Sequence, residues 1–305
     1  MRETVAHVLR VQSPYRLDLT VKVLRRLPSN PVDVLTADGT YLRLLGDPAA
    51  PTVARVRQPN PETLTIELTG NQRQHQRLLA LLSGMLGVNV DLTPFYRSAE
   101  CLPWLLPLVR RMQGVKPPRY PTLWEACVNA VVFQQLSLVA ASSVTRRLVM
   151  TLGEPVRCDE AVLYPFPGVA EFLRVPDAEL RGTGLSAGKL VTLRRAAEAI
   201  AGGLDEASLM AHPSAAAAAL LRRIKGIGPW TATVILLRGL GRLDVFPGGD
   251  TSVARNLALV GGSAPLDLPA ALEVLGPVQG MLYYHLLLAR LEACGDVLPP
   301  TPPVS

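Results

Sequence analysis

The sequence predicts an α+β chain, with an antiparallel sheet and about two helices in residues 1–91 and an all-α region after them. Three observations carry this. Short β-branched runs bounded by turn residues fill the first part, helical periodicity broken by Gly and Pro fills the part beyond Thr93, and 305 residues suffice for about two domains. Hydrophobic residues make up 49% and charged residues 18%, so large cores can be buried and a disordered polyelectrolyte is excluded.

In chain order, Leu17, Val21, Leu24 and Leu27 recur at helical spacing. Val32-Asp33-Val34-Leu35 and Tyr41-Leu42-Arg43-Leu44 flank Ala37-Asp38-Gly39, the composition of a tight hairpin. Thr63–Leu68 alternates like a half-buried strand, and Leu78, Leu81, Leu82 and Met85 return to helical spacing. Helical segments follow near 122–136, 138–151, 187–202, 214–224, 230–240, 251–260 and 279–293. The run Ala215–Ala219 fits them through helix propensity, whereas the Pro-rich tail from Leu298 cannot hold a helix. These segments divide into an N-terminal domain, 1–91, a helical domain, 119–241, and a second helical lobe built from 92–118 with 242–305.

The charge balance is modestly basic, +6 from 31 Lys and Arg against 25 Asp and Glu, which is compatible with a polyanion partner without proving one. Lys stands only at 22, 116, 189 and 225, so Arg supplies 27 of the cations. Its planar donor fork suits phosphate. Four cysteines, 101, 127, 158 and 294, form no CxxC pair, which speaks against a zinc ribbon or an iron–sulfur cluster and for free thiols in a reducing cytosol. The start, MRETVAHVLRVQ, lacks the apolar core of a signal peptide, and no apolar run reaches membrane-spanning length. A soluble cytoplasmic protein is expected.

The most informative stretch is Leu220-Leu-Arg-Arg-Ile-Lys-Gly226-Ile227-Gly228-Pro229-Trp230-Thr231-Ala232. One helix runs into Gly-Ile-Gly and a second starts at Pro229 or Trp230, where proline is favoured in the first turn. Gly226 and Gly228 can take φ > 0 and, without Cβ, let a phosphate approach the backbone N–H groups at a helix start. Ile227 would anchor the turn and Thr231 offer a hydroxyl. The same residues also suit a plain αα-hairpin whose glycines merely reverse the chain. Downstream, Pro247-Gly-Gly-Asp250-Thr251 opens onto a helix, with Asp250 where an N-cap belongs. Capping and catalysis are compatible there, because one carboxylate oxygen can cap while the other points into a cleft.

Taken together, Leu-x-x-Ile-x-Gly-Ile-Gly-Pro-Trp-Thr-Ala and the Asp after a Pro-Gly loop resemble the helix-hairpin-helix DNA glycosylase superfamily, and within it the 3-methyladenine DNA glycosylase II family. The resemblance runs nearly full length, through Tyr164, Phe166-Pro167 and Gly184-Leu185-Ser186 before Lys189. It implies a sheet domain like that of the TATA-box-binding protein, two helical lobes around a cleft, and a monomer on damaged double-stranded DNA at the nucleoid. The implied reaction is hydrolysis of a base–sugar bond, with Asp250 stabilising positive charge on the sugar or orienting water. Removal of alkylated purines, 3-methyladenine and 7-methylguanine, is the implied activity. Deaminated or oxidised bases, or damage binding without catalysis, are the alternatives.

Residue by residue, Leu136 in Phe133-Gln134-Gln135-Leu136 matches the apolar wedge that replaces a flipped nucleotide, with Gln135 beside it; an ordinary core leucine is the competing reading. Gly226, Ile227, Gly228, Thr231 and Arg255 would hold the DNA strand, and carbonyls around Gly226 a monovalent cation, with no organic cofactor. Trp230, Tyr283, Tyr284 and Tyr15 would stack the lesion, unless they are core. Arg194 and Arg195 read as a solvated strip or a DNA-facing one. Lyases of the superfamily place a lysine two positions after the second hairpin glycine, where Trp230 stands here, which implies no strand cleavage. Three further aromatic pocket positions fall on Val23, Val234 and Val278, so a wider and less aromatic pocket is expected.

Overall fold

The computed structural model describes residues 4–158, 161–249, 251–261 and 266–296, with the side chains of 251 and 252 excepted. Strands β1 (Thr4–Arg10), β2 (Val34–Leu35), β3 (Tyr41–Leu45), β4 (Thr52–Asn60) and β5 (Thr63–Thr69) form an antiparallel sheet in the order β1-β5-β4-β3-β2. Register follows the side-chain alternation of β5: Leu64, Ile66 and Leu68 are fully buried, and Ile66 lies opposite His7 on one side and Val56 on the other. Between β2 and β3, Gly39 takes φ +82 and Asp38 accepts from the Thr40 N–H. The first strand of this hairpin is shorter than expected. The Asn30 side chain accepts from the N–H groups of Val32 and Asp33, which removes both from the ladder.

Helix α1 (Leu17–Arg25) follows β1, and α2 (His75–Met85) follows the sheet. Next come α3 (Thr93–Glu100), α4 (Leu106–Arg111), α5 (Leu123–Val132) and α6 (Leu138–Leu152). The region beyond Thr93 is not all-α, because β6 (Val156–Cys158) and β7 (Ala161–Leu163) form a hairpin. Its Leu163 is buried with Leu42 and Leu44 of β3, so these short β-branched runs extend the sheet domain's packing. The chain continues through α7 (Val169–Arg174), α8 (Asp177–Gly182), α9 (Ala187–Ala201), α10 (Glu206–Met210), α11 (Ser214–Arg222), α12 (Pro229–Leu240), α13 (Thr251–Gly261), α14 (Leu268–Leu275) and α15 (Gly280–Ala293). The alanine run lies inside α11 as expected. The tail from Leu298 lies outside the described residues.

Two large hydrophobic clusters organise the described residues. One joins the sheet face and α2 to α5, α9, α11 and α12; the other joins α3, α4 and α13–α15, with Leu19 and Val23 of α1 inserted. Helix α1 thus faces both. Beneath the sheet, the fully buried Arg43 pairs with Asp33 and, at 2.5 Å, with Glu125 of α5, while Tyr41 donates to Asp33 at 2.7 Å. Burial raises the Glu125 carboxyl above its ordinary range, with Arg43 opposing the shift. No helix among the described residues is long and apolar enough to cross a membrane.

Candidate functional site

The turn between α11 and α12 is closed by the Ile227 N–H donating to Ile224 O at 3.0 Å, and buried Ile227 anchors it. The two glycines do different work. Gly226 has φ +105, and a Cβ there would lie 2.0 Å from Thr192 Oγ1 of α9, so only glycine lets α9 pack under the turn. Gly228, free to take φ > 0, instead has φ −87 and ψ −178, caps α12 ahead of Pro229, and meets nothing within 4 Å at a Cβ position. Its missing side chain leaves backbone N–H groups open to a ligand rather than to protein.

The turn is clasped from just past the end of α5. Gln134 Nε2 donates to Thr231 Oγ1 at 2.7 Å and to the Gly226 carbonyl at 3.2 Å, and Arg195 reaches the Lys225 carbonyl at 3.5 Å. Thr231 is 2% exposed, so its hydroxyl is committed to the clasp and not to a phosphate, which corrects the sequence expectation. Gln134 is the residue sequence reasoning left without a role. Gln135, next in line, is exposed with φ +53 and ends the helical run; Ser137 then caps α6, its hydroxyl accepting from the Ala140 N–H at 3.2 Å. Between them Leu136 stands 41% exposed, with Val139 beside it at 67%. A core leucine does not stand so.

The aromatic candidates separate. Tyr284 is fully buried, its hydroxyl donating to Leu237 O at 3.2 Å, and Tyr15 is buried with its hydroxyl donating to Leu86 O at 3.2 Å. Both are core residues without a face for a base: α15 turns Tyr284 inward, and Tyr15 is buried just ahead of α1. Tyr283 is half-buried, edge-on to Tyr284 at 5.7 Å. Trp230 is half-buried against the first cluster, and its Nε1 is buried without a hydrogen-bond partner among the described residues. Val23 and Val234 are buried and Val278 half-buried. Arg194 staples α9 to Asp177 at 2.7 Å and to the Phe172 carbonyl at 2.7 Å, so it is neither a free solvated charge nor a DNA strip.

Asp250 lies outside the described residues. Its neighbours are placed: Gly249 has φ +77, α13 starts at Thr251, and Gln279 Nε2 holds the loop by donating to Asp244 O at 2.8 Å. Arg255 projects from α13, exposed and without an ion-pair partner among the described residues. Sequence reasoning missed one further pair. Arg26, 5% exposed at the end of α1, lies over the Phe133 ring with its guanidinium carbon 3.6 Å from the ring centre, and nearby Arg238 lies over Tyr120 at 4.8 Å. A cavity of about 900 Å³ lies elsewhere, lined by Leu45, Arg77, Trp124 and Phe166, and shares no residue with the hairpin or Leu136. Gly226, Ile227, Gly228, Trp230 and Leu136 gather around the hairpin, away from that cavity.

Residues 128–274 match the HhH-GPD superfamily of base excision DNA repair proteins. The match covers 147 residues, just under half of the chain. A DNA-3-methyladenine glycosylase of Bacillus subtilis is 27% identical over 190 residues, covering 62% of this chain and 63% of that protein. A probable bifunctional transcriptional activator/DNA repair enzyme AlkA of Mycobacterium tuberculosis is 29% identical over 237 residues, 76% of this chain and 45% of its own length. The chain therefore spans less than two thirds of either relative. Among solved structures, a 3-methyladenine DNA glycosylase from Archaeoglobus fulgidus superposes with TM-score 0.79 at 23% identity, covering 94% of this chain and 99% of its own. An 8-oxoguanine glycosylase/lyase of Clostridium acetobutylicum, in complex with double-stranded DNA, superposes with TM-score 0.74 at 14% identity, covering 97% and 98%. These likenesses show the shared fold.

Proposed function

We propose that this chain is a monofunctional DNA N-glycosylase of base excision repair that removes alkylated purines, 3-methyladenine and 7-methylguanine among them, and leaves an abasic site. The observation that carries the reading is the clasped hairpin, whose open Gly228 backbone lies one hydrogen-bonded glutamine away from exposed Leu136. The 3-methyladenine glycosylases among the relatives support the substrate class. In this reading a monomer, with its sheet domain resembling that of the TATA-box-binding protein and its helices closing as two lobes, binds damaged duplex DNA at the cytoplasmic nucleoid. The amides after Gly226 take one phosphate without side-chain charge, which offsets the modest +6 of the chain.

Leu136 fills the gap left by the extruded nucleotide, recovering part of an unstacking cost of a few kcal/mol. Asp250 stabilises positive charge as the base departs. A base already cationic through alkylation leaves without a general acid, and no such acid is assigned. A cation at the hairpin carbonyls fits poorly, because the carbonyls of Ile224, Lys225 and Gly226 already accept hydrogen bonds, one of them from a guanidinium. No step is routed through one, and no organic cofactor is needed. Asp250→Asn should lower base release by about 100-fold or more and leave DNA binding nearly intact; equal activity in that variant overturns the mechanism. The likeness to an 8-oxoguanine glycosylase/lyase favours oxidised bases as a second reading. Mass spectrometry of bases released from methylated, deaminated and oxidised DNA separates the two, and borohydride trapping of a covalent adduct would count for a lyase.

A further inference from the structure

We infer that Gln134 is a positioning residue, which braces the turn carrying Leu136 against the hairpin so that Leu136 keeps its place when it enters a duplex. The inference rests on the glycosylase reading above. Residues 133–137 join α5 to α6, and their backbone is strained. Among the described residues two that are not glycine take a positive φ, Arg26 at +62 and Gln135 at +53. Such a backbone costs stability and persists only where its surroundings hold it. All ten residues of α5 are buried, and the reversal at Gln135 is what releases the next residue, Leu136, into solvent.

The contacts that hold the turn can be named. Behind it, Lys189 Nζ of α9 donates to Val132 O at 2.8 Å and fixes the end of α5. From residues 133–136, Gln134 makes the only side-chain hydrogen bonds to another element among the described residues, those to Gly226 O and Thr231 Oγ1. The Gly226 oxygen can only accept, so the carboxamide must present its nitrogen there, and its two hydrogens serve the two acceptors. An ionised glutamate would offer acceptors alone. The far side of the brace is firm. Thr192 packs beneath Gly226, the Ile227 N–H of the same peptide unit donates to Ile224 O at 3.0 Å, and Thr231 is buried.

Stacked base pairs resist an entering side chain and press it back on its own turn. An unbraced turn would yield at its strained residue, Gln135 would relax, and Leu136 would retreat. Two neutral hydrogen bonds oppose that by a factor between about 5 and 150 in the population that stays inserted. The loss on removing them is capped by what Leu136 itself contributes. Because the brace ends on the peptide unit of Gly226, a phosphate seated on the amides that follow steadies the wedge as well as the strand.

The test uses the full chain and two readouts. Single-turnover release of 7-methylguanine reads excision, and the fluorescence change of a 2-aminopurine neighbouring an abasic-site analogue reads insertion. Gln134→Met keeps the side chain's length and loses both donors. It should lower excision by between about fivefold and the full loss seen in Leu136→Ala, and lower the fluorescence change with it, while anisotropy on undamaged duplex stays at the wild-type value. In a Leu136→Ala background the same change should lower neither readout further, because Gln134 acts through that side chain. Thr231→Val removes one acceptor from the hairpin side with little change of shape; it should move both readouts in the same sense, and it carries the test if the methionine variant does not fold. Readouts unchanged in Gln134→Met and Thr231→Val, or a loss that multiplies with that of Leu136→Ala, overturn the inference while the glycosylase reading stands. A wild-type chain that neither releases 7-methylguanine nor changes the fluorescence overturns both.

Discussion

Replacing each hairpin glycine by alanine should separate the turn's architecture from its ligand contact. At Gly226 the new Cβ would meet Thr192 Oγ1 at 2.0 Å and Cγ2 at 2.8 Å, with φ at +105. Holding an L-residue in that backbone region costs about 1–3 kcal/mol, and overpacking a built contact about 1–3 kcal/mol more. Gly226→Ala should therefore destabilise by about 2–6 kcal/mol. Trimming the neighbour with Thr192→Ala should recover only the part due to crowding, since φ is unchanged. At Gly228 the backbone is one any residue adopts and the Cβ meets nothing within 4 Å, so stability should stay within about 0.5 kcal/mol of wild type. If the hairpin amides take a phosphate as proposed, a methyl there blocks it. Loss of one or two charge-assisted hydrogen bonds weakens duplex binding about 10- to 100-fold. Urea midpoints and fluorescence anisotropy on an abasic-site duplex read the two effects. Gly228→Ala binding DNA like wild type, or Gly226→Ala retaining the wild-type midpoint, would refute the division of labour.

Leu136→Ala should leave the urea midpoint unchanged, because the side chain is 41% exposed, yet slow base excision about 10-fold or more; a core role would show instead as a loss of several kcal/mol. His285 is fully buried, and burial pushes its imidazole down to about 4. The unfolded chain binds that proton near pH 6.5 and the folded chain only near 4, so the stability it contributes is complete above pH 6.5 and lost as pH falls, about 2 kcal/mol of it by pH 5. His285→Phe should flatten the acid limb of the stability profile by that amount, and parallel profiles would count against a neutral buried imidazole.

The legible parts of the chain were those whose local chemistry and tertiary role agree. Ser186 caps α9 by accepting from the Lys189 N–H, Pro229 opens α12, and Gly226 takes the positive φ its type suggests. Strands β1 and β4 were less so, because the outward positions of Val53-Ala54-Arg55-Val56-Arg57 carry arginines and β1 sits at an edge with Val8 73% exposed. Helix α15 is apolar all round, so periodicity cannot say which of Tyr283 and Tyr284 faces inward. A pair of adjacent glutamines does not reveal which one bonds the hairpin; the left-handed turn at Gln135 decides it. Arg26 was hidden for the same reason, since a cation in the last turn of a helix ordinarily reads as solvated and favourable to the dipole. Only the reversal of its backbone buries it.

The ion network under the sheet has a mechanical consequence. Helix α5 is a rod of ten buried residues, about 15 Å long, with Glu125 near one end and Leu136 projecting just past the other. Arg43 bolts the near end to the sheet. If Leu136 enters a stacked duplex as proposed, the load falls on the far end, and a rod fixed at one point only would pivot. The sheet, remote from the proposed chemistry, is then the wall to which this cantilever is mounted, and the stiffness of that mounting would set how hard Leu136 presses.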